Sequence, residues 1–461
     1  MNFNGKKSAK NIVISLSLVF LFSTAVLSCG STKKIENIQS QEAESFTRKE
    51  LSNGIPVIFK QNKGSKIVVF SLVFEGGASA IDKSLGGIEG LTFDMILRGS
   101  KNYPYDKISQ LQYEKSFSIS SSCGKDYSTL GFICIQRDLS QVMEIFTDCL
   151  LNPSMLESDY NQKISEIKEA ISGRKTSPSG SLSLSLSENL YKGHPYETSL
   201  SVTEKSLPNI SLKMVKGIYS SLLNASRIKI VITGNFSNDL MDDFVKSLNS
   251  GIGGISRSAF TKPVIPKISV SGPALYIGNE EAGDTGYIAA AFDCPSRYDS
   301  DYIPFALATM YLDDILYDQV REKAGAVYSV NSGVSAGKQF FAVISLYKVS
   351  QKEKLQKIVF DAIQSFNPEE TNKILEQHKN RYISMIYSSS QTASGLTSSI
   401  VSSLEYYDNE KAYLERAEMI KNVSAEEVNA AYNKYILPVA KENAARWFIV
   451  DGEKNLKDYT F

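Results

Sequence analysis

The sequence predicts an α+β protein made of two related domains, each with an antiparallel-rich sheet flanked by helices. Two segments of the chain share one order of strand, turn, strand, helix and breaker, which favours an internal duplication. A run rich in Gly and Ser, residues 251–263, separates the two. The length of 461 residues also favours more than one domain.

The repeat pairs residues 113–153 with residues 320–368. Each segment opens on Glu-Lys, enters an alternating strand, turns at Gly-Lys and continues through a second strand into an amphipathic helix that ends at Asn-Pro. A shared dipeptide could arise by chance, but a shared order of elements points to duplication. We therefore expect a first domain over 46–255 and a second over 264–461.

In the first domain, strands are expected where β-branched and aromatic residues cluster, and Pro56 fits only at the start of one. These strands are 57–60, 66–75, the hairpin of the repeat, and 228–234. Helices are expected at 85–98, 139–151, 154–171 and 211–223. Gly99 ends the first helix. The Ser- and Gly-rich stretch 172–187 is interpreted as a loop.

The second domain repeats this scheme. Strands are expected at 274–277, 286–293 and 446–450, together with a hairpin over 326–348. A helix is expected over 302–321. Asn367 is a cap for a further helix that has Pro368 at its first position. Ser424 and Glu427 have the spacing of a capping box.

Charge and cysteine content exclude some functions. Lys plus Arg and Asp plus Glu number 50 each, so no global basic field points to nucleic acid. The cysteines after residue 100 show no C-x-x-C spacing, which argues against a zinc knot or redox motif. Cys134 and Cys149 lie in apolar surroundings and are expected to be buried free thiols.

Residues 1–28 are interpreted as a lipoprotein signal peptide. A basic start precedes an apolar run over 11–27 that is short for a membrane span. Ser28-Cys29 then resembles a bacterial lipobox, which implies cleavage before Cys29 and lipidation of its thiol. The alternative is an ordinary signal peptide with an incidental cysteine. Residues 29–45 are polar and read as a tether, so the expected location is a membrane surface outside the cytoplasm, periplasmic or cell-surface.

The landmarks of the chain resemble the insulinase/pitrilysin family, and within it the two-domain subunits typified by mitochondrial processing peptidase. They occur in the family's order at 51–57, 75–79, 194–196, 230–234 and 316–330. The resemblance implies one half of a metallopeptidase clam-shell, with a zinc site in the first domain and substrate-contacting residues in the second.

The zinc motif of that family is absent here. The family places His-x-x-Glu-His on a helix, where both histidines ligate zinc and the glutamate polarises water. The corresponding stretch, 87–95, reads G-I-E-G-L-T-F-D-M. Gly90 and Asp94 stand at the histidine positions, and Phe93 stands at the glutamate position. The chain has two histidines, His194 and His378, too far apart to form the motif in any register.

The distal zinc ligand of the family falls near Glu169. Without imidazoles, Glu169 is interpreted as a residual surface carboxylate. One alternative stays open, a site made only of carboxylates that would suit harder cations than zinc. Its members would be Glu89, Asp94, Glu166 and Glu169.

The family's second feature, an Arg and Tyr pair, is present as Arg321 and Tyr328. The resemblance implies that these side chains hydrogen-bond the substrate next to the scissile bond and meet the developing oxyanion. The alternative is structural, with Arg321 offsetting a helix dipole and Tyr328 as a half-buried strand residue. The family's processing subunit has a glycine-rich loop before this segment, whereas 310–317 has no glycine.

The leading hypothesis is a non-catalytic, substrate-contacting subunit of a heteromeric zinc peptidase, anchored to a membrane outside the cytoplasm. The chain would bind no cofactor, and zinc would lie on a partner that carries the family motif. Peptide substrates could add to a sheet edge, for which the strand over 118–122 is a candidate. The alternatives are a non-proteolytic scaffold or peptide-binding lipoprotein on the same fold, and an enzyme with a rebuilt metal site.

Overall fold

Two mixed sheets flanked by helices form the framework of residues 46–441 and 444–461, which are the residues that the computed structural model describes. The predicted signal peptide, Cys29 and the predicted tether lie outside the described residues. The first sheet contains β1 Phe46–Glu50, β2 Pro56–Gln61, β3 Ile67–Glu75, β4 Ser118–Cys123, β5 Tyr127–Ile135 and β6 Ile228–Gly234. The second contains β7 Leu275–Gly278, β8 Gly286–Phe292, β9 Val327–Val334, β10 Ala342–Val349 and β11 Ala445–Asp451.

The two sheets have the same topology. The first runs β1-β2-β6-β3-β5-β4 and the second runs β7-β11-β8-β10-β9. Five strands correspond one to one, and the parallel pair falls in the same place, as β2–β6 and β7–β11. The other pairs are antiparallel. The predicted fold class is confirmed, and the shared order of strands supports the duplication inferred from the repeat.

The helices of the described residues lie mostly between or after the strands. In the first half they are α1 Ile88–Leu97, α2 Tyr105–Lys115, α3 Leu139–Leu151, α4 Glu157–Thr176, α5 Pro178–Leu190, α6 Leu212–Leu222 and α7 Asn238–Ser250. In the second half they are α8 Tyr302–Leu316, α9 Leu355–Gln364, α10 Pro368–Ser389, α11 Ala393–Tyr407, α12 Ala412–Lys421 and α13 Ala425–Ala431. No helix of the described residues is long and apolar enough to cross a membrane.

The prediction of a loop over 172–187 is wrong. Helix α4 continues to Thr176, and α5 begins directly after Ser177, whose hydroxyl accepts from the backbone N–H of Gly180. Pro178 takes the first helical position, where its missing N–H costs nothing. Serines disfavour a helix weakly, but Leu182 and Leu190 become buried, and such burial decides helix formation.

Each half covers the outer face of the other half's sheet. Leu182 and Leu190 of α5 share an apolar cluster with residues of β8 and β11 in the second sheet. In return, Ile400 and Leu404 of α11 pack with residues of β2, β3 and β6 in the first sheet. The inner faces are covered by helices of their own half. The two halves are therefore interlocked through exchanged helices.

The cysteines that the sequence places in apolar surroundings are buried free thiols. Cys134 and Cys149 are 1% and 2% exposed, and neither forms a disulfide. Burial raises the pKa of each thiol to about 12, so both are protonated and unreactive at neutral pH.

Candidate functional site

Helix α1 begins where a glycine is required. Gly87 has φ +83°, and a Cβ on it would lie 1.9 Å from the backbone nitrogen of Val202. The Gly87 N–H donates to the carbonyl oxygen of Ser199 over 2.8 Å. The segment around 199–202 therefore packs directly on the start of α1, and the predicted helix start at residue 85 is displaced to Ile88.

The first and middle positions of the zinc motif carry no donor for a metal. A Cβ on Gly90 would have Cys123 Sγ 3.6 Å away and the carbonyl oxygen of Leu200 3.8 Å away. Phe93 is 0% exposed, and its ring centroid lies 5.3 Å from that of Phe74. The position of the family's general base thus belongs to the hydrophobic core, where no water can be activated.

Asp94, at the second histidine position, is half-exposed and paired with a lysine. Its Oδ2 lies 3.0 Å from Lys163 Nζ of α4, and the same ammonium lies 2.9 Å from Glu166 Oε2. Arg98 Nη2 lies 3.5 Å from the other oxygen of Glu166. Two cations and two carboxylates therefore alternate on the facing surfaces of α1 and α4.

The ion pairs of this cluster shift the pKa values of Lys163 and Glu166. Burial alone would lower the pKa of Lys163, but Asp94 and Glu166 outweigh that effect and raise it. Burial alone would raise the pKa of Glu166, but the hydrogen bond and charge of Lys163 outweigh it and lower that pKa. Lys163 thus stays an ammonium, and its position between the two carboxylates leaves no negative site for a divalent cation.

The carboxylates do not assemble into a metal site. Among the described residues, no group of three or more His, Cys, Asp or Glu could hold a metal ion. Glu169 is exposed on α4. Glu89 is buried elsewhere, where its Oε2 accepts from Ser128 over 2.7 Å and its Oε1 lies 3.8 Å from Arg227. Within the described part of the chain, neither a zinc donor set nor a cluster of carboxylates is assembled.

Arg321 lies in a π-helical extension of α8. The segment Tyr317–Lys323 is π-helical, and the N–H of Ala326 bonds to the carbonyl of Val320. The Arg321 guanidinium stacks over Tyr317 with 4.8 Å to the ring centroid, and its side chain is 38% exposed. Its ion-pair contact is the neighbouring Glu322, at 3.7 Å. The side chain of Arg321 is therefore partly accessible to solvent.

Tyr328 is exposed on an edge strand. It is 68% exposed, whereas Ala326 and Val327 directly before it are buried and anchor the start of β9. The interpretation of Tyr328 as a half-buried strand residue is therefore wrong. Among the described residues, its hydroxyl has no hydrogen-bond partner. Arg321 and Tyr328 lie at the end of one helical segment and the start of the next strand, with their polar ends accessible.

Lys348 is a neighbour of this pair that the sequence did not reveal. Its Nζ lies 5.2 Å from the Tyr328 ring centroid. It has φ +54° and forms a bulge, since β10 pairs with β8 through Tyr347 and Val349 and skips the residue between them. Such bulges re-aim a side chain, often next to functional sites. No residue type in the run 342–349 marks the bulge, so only the structure could find it.

The two histidines serve structural roles. His194 Nε2 lies 2.9 Å from the carbonyl oxygen of Pro266, and its Nδ1 accepts from the N–H of Tyr196. His378 is buried, with Nε2 2.8 Å from Asp314 Oδ2. The structure does not bring them together, so they cannot form a shared metal site.

The two Gly-Lys turns of the repeat meet each other. The N–H of Lys338 donates to Asp126 Oδ2 over 2.7 Å, and the hydroxyl of Tyr196 donates to the same carboxylate over 2.6 and 2.7 Å. Tyr196 is fully buried. The family landmark at 194–196 therefore joins the hairpin turns of the two halves, and its function here is structural.

Strand β4 forms one edge of the first sheet, as the peptide-addition hypothesis requires. Its exposure alternates along the strand, with Ser118, Ser120 and Ser122 pointing to solvent. Strand β9, which carries Tyr328, is the corresponding edge of the second sheet. The binding of peptides at either edge stays a prediction.

Two family models match the chain in succession. The model described as "Insulinase (Peptidase family M16)" matches residues 56–204, and the model described as "Peptidase M16 inactive domain" matches residues 209–382. Among curated proteins, the chain is similar to the "Non-peptidase homolog YmxG" of Helicobacter pylori (strain ATCC 700392 / 26695). The two are 20% identical over 334 residues, which is 70% of this chain and 76% of that protein.

Solved structures share the fold. A peptidase M16 inactive domain from Pseudomonas fluorescens superposes with a TM-score of 0.76 and 17% identity, over 88% of this chain and 98% of that one. A protease from Helicobacter pylori gives 0.75 and 13%, over 88% and 99%. The periplasmic protease PqqL from Escherichia coli gives 0.73 and 16%, over 97% of this chain and 49% of PqqL. This chain thus corresponds to about half of PqqL.

Proposed function

The chain belongs to the insulinase family (peptidase family M16), and from that premise we propose that it is a non-catalytic, substrate-contacting subunit of a heteromeric zinc peptidase. The metal would be held by a second chain that carries His-x-x-Glu-His. This chain would supply Arg321 and Tyr328 to the shared site and bind no cofactor of its own. Peptides would be the substrates.

The observation that carries this proposal is an asymmetry between the two halves. In the first half, the two histidine positions carry Gly90 and an aspartate paired with Lys163, Asp94, and the general-base position carries a core phenylalanine, Phe93. In the second half, Tyr328 is exposed, and Arg321 is partly exposed with the neighbouring Glu322 as its ion-pair contact. Such a surface fits a role that depends on a partner, since exposed donors need an external acceptor to act.

The chemistry assigned to this chain is hydrogen bonding to the substrate. Zinc on the partner would supply the activated water. Arg321 would donate to the backbone carbonyl next to the scissile bond, and Tyr328 would donate to the oxygen that gains charge. The bulged Lys348 would add positive charge beside Tyr328, which favours an acidic or carbonyl-rich segment at this subsite.

We also propose that a lipidated Cys29 holds this subunit at a membrane surface outside the cytoplasm. Several acyl chains on one residue provide stable anchoring, whereas a single chain binds reversibly. Mass spectrometry of the mature N-terminus tests this part independently of any activity. An acylated cysteine is expected, and an unmodified N-terminus at another residue would contradict it.

The test of function is reconstitution with a zinc-motif relative from the same organism. Co-purification and new peptidase activity are expected on mixing. Arg321→Ala should lower kcat/KM about 100-fold, the typical loss for one oxyanion donor. Tyr328→Phe should also lower kcat/KM. Arg137→Ala and Tyr113→Phe are matched controls, because these side chains are 76% and 89% exposed on the first half. If the two chains do not co-purify and mixing them produces no peptidase activity, the proposal is contradicted.

A second function, peptide binding or scaffolding without proteolysis, is favoured by the similarity to a protein named a non-peptidase homolog. If this second function is right, Arg321→Ala and Tyr328→Phe should change neither the formation of the complex nor the peptidase activity of the zinc-bearing relative. A stable complex with full activity of the zinc-bearing relative, insensitive to both substitutions, would select this function over the first.

A further inference from the structure

A cavity of about 500 Å³ lies between α10, α11, α12 and the loop that precedes α8. Two arginines, Arg297 and Arg416, line this arginine–serine cavity. Its walls also present a set of serine hydroxyls: Ser389, Ser398, Ser399, Ser402 and Ser403. None of its described lining residues is acidic, and its size suits a small-molecule ligand. The cavity is thus cationic and rich in hydrogen-bond donors.

Within the described residues, the charge of Arg416 is paired with tyrosine hydroxyls and with no carboxylate. Its Nη2 donates to the hydroxyls of Tyr302, over 3.0 Å, and Tyr382. Its guanidinium lies 5.0 and 5.4 Å from the centroids of these rings. Burial raises the pKa of Tyr382 to about 12, so that phenol is neutral at physiological pH. Arg416 Nε has no acceptor among the described residues. A partly buried charge of this kind is costly unless an anion accompanies it.

Arg297 is held in a fixed orientation at the same cavity. Its Nη2 donates to the carbonyl oxygen of Gly337 over 2.6 Å. Its guanidinium lies between the rings of Phe340 and Tyr406, at 4.9 and 4.3 Å. Burial raises the pKa of Asp126, and the nearby charge of Arg297 partly offsets this effect. The Asp126 carboxylate already accepts hydrogen bonds from the Tyr196 hydroxyl and the N–H of Lys338. Arg297 Nε has no acceptor among the described residues.

A second cavity of about 750 Å³ is lined by the same two arginines. It has three acidic lining residues, and each accepts a hydrogen bond elsewhere. Asp299 accepts from the N–H of Ser296 over 2.8 Å, Glu415 from the Asn409 amide over 2.9 Å, and Glu427 from the N–H of Ser424 over 2.7 Å. None of them forms an ion pair with Arg297 or Arg416 among the described residues. The arginines therefore remain available to a ligand that enters from solvent.

We propose that the arginine–serine cavity binds a small oxyanion compound, a phosphate or a carboxylate, between Arg297 and Arg416. A guanidinium presents planar donors that match two oxygens of such a group. The hydroxyls of Ser398, Ser399 and Ser402 donate to the remaining oxygens. The tyrosine rings hold the arginines in place. This site lies in the second half, and its ligand does not depend on the peptidase partner or on Arg321.

Calorimetric titration of the full chain tests this site. Inorganic phosphate and acetate are titrated separately, with chloride holding the ionic strength constant. At least one of the two anions is expected to bind more tightly than about 1 mM. Arg297→Gln and Arg416→Gln should each weaken that binding at least tenfold. Arg137→Gln, an exposed arginine on the first half, should leave it unchanged. Which anion binds distinguishes a phosphate ligand from a carboxylate ligand.

A second variant keeps the test decisive if Arg416→Gln unfolds. Ser398 is exposed at the cavity, and Ser398→Phe would fill it without removing a charge or a core side chain. This variant should fold, by circular dichroism, and lose anion binding. The proposal is overturned if neither anion binds the native chain. It is also overturned if folded Ser398→Phe or folded Arg297→Gln binds as tightly as the native chain.

Discussion

At the residue scale, the positions of the family's zinc motif carry side chains with other contacts. Phe93 packs in the core, and Asp94 pairs with Lys163. Sequence reasoning could predict the loss itself, because two distant histidines cannot form the motif. It could not predict that Lys163 pairs with Asp94, since residues 69 positions apart meet only through the packing of α4 on α1. The bulge at Lys348 was likewise invisible, because backbone register is set by the neighbouring strands.

Phe93→Glu tests whether the general-base position now belongs to the core. A carboxylate there would lose its hydration with no donor nearby, so we expect a loss of about 3 kcal/mol or more in the free energy of unfolding. Urea denaturation followed by circular dichroism measures it. Phe93→Leu is the control and should cost about 1 kcal/mol. Equal stability of the two variants would show that residue 93 is accessible to water.

Lys163→Ala tests the ion-pair cluster between α1 and α4. The cluster is partly exposed and screened, so the expected loss is about 1 kcal/mol or less near neutral pH. The pKa of Glu166 is lowered on folding, so its contribution is full above the ordinary value of about 4.3 and is lost as the pH falls through the folded value. The pKa of Lys163 is raised, so its contribution is full below about 10.4 and is lost as the pH rises through the folded value.

The difference in unfolding free energy between the native chain and Lys163→Ala should therefore be constant between about pH 5 and 9 and shrink below about pH 4. Unfolding free energies measured across this range decide it. Lys168→Ala is the matched control, because Lys168 is exposed on the same helix. A difference that persists unchanged at pH 3, or one that Lys168→Ala reproduces, would contradict the ion-pair account.

At the element scale, local chemistry predicted the hairpins and several caps well. Ser424 and Glu427 form the expected capping box, and Asn367 accepts from the N–H of Glu369. Turn and cap residues act through neighbours in sequence, which is why such predictions succeed. The prediction for residues of α5 was wrong because the serines of this segment favour a loop. The contacts of Leu182 that stabilise the helix are made with a sheet about 100 residues further along the chain.

Leu182→Ala tests the contact that makes α5 a helix. Leu182 is 2% exposed in the cluster that joins α5 to the second sheet, so we expect a loss of about 2–5 kcal/mol in unfolding free energy. Leu184→Ala is the matched control on the same helix, since Leu184 is only partly buried and lines a surface cavity. If both substitutions cost the same, α5 is not held by its contact with the second sheet.

At the scale of the whole molecule, the sequence repeat predicted two domains of one architecture, and the matching strand orders bear out that fold class. The exchange of α5 and α11 between the sheets was not predictable, because apolar periodicity shows that a helix face is buried but not which sheet buries it. Because helices of each half cover the sheet of the other half, the halves depend on each other for stability. Strands β4 and β9 form edges of the two sheets.

The central claim is that this chain has kept the frame of a zinc peptidase without the ability to hold zinc. Its most direct test is elemental analysis by mass spectrometry of the full chain, dialysed with excess zinc and then separated from free metal by gel filtration. A family member with intact His-x-x-Glu-His, treated in the same way, should retain about one zinc per chain. We expect far less than a tenth of that from this chain. Retention of about one zinc per chain, lost in Asp94→Ala, would contradict the account.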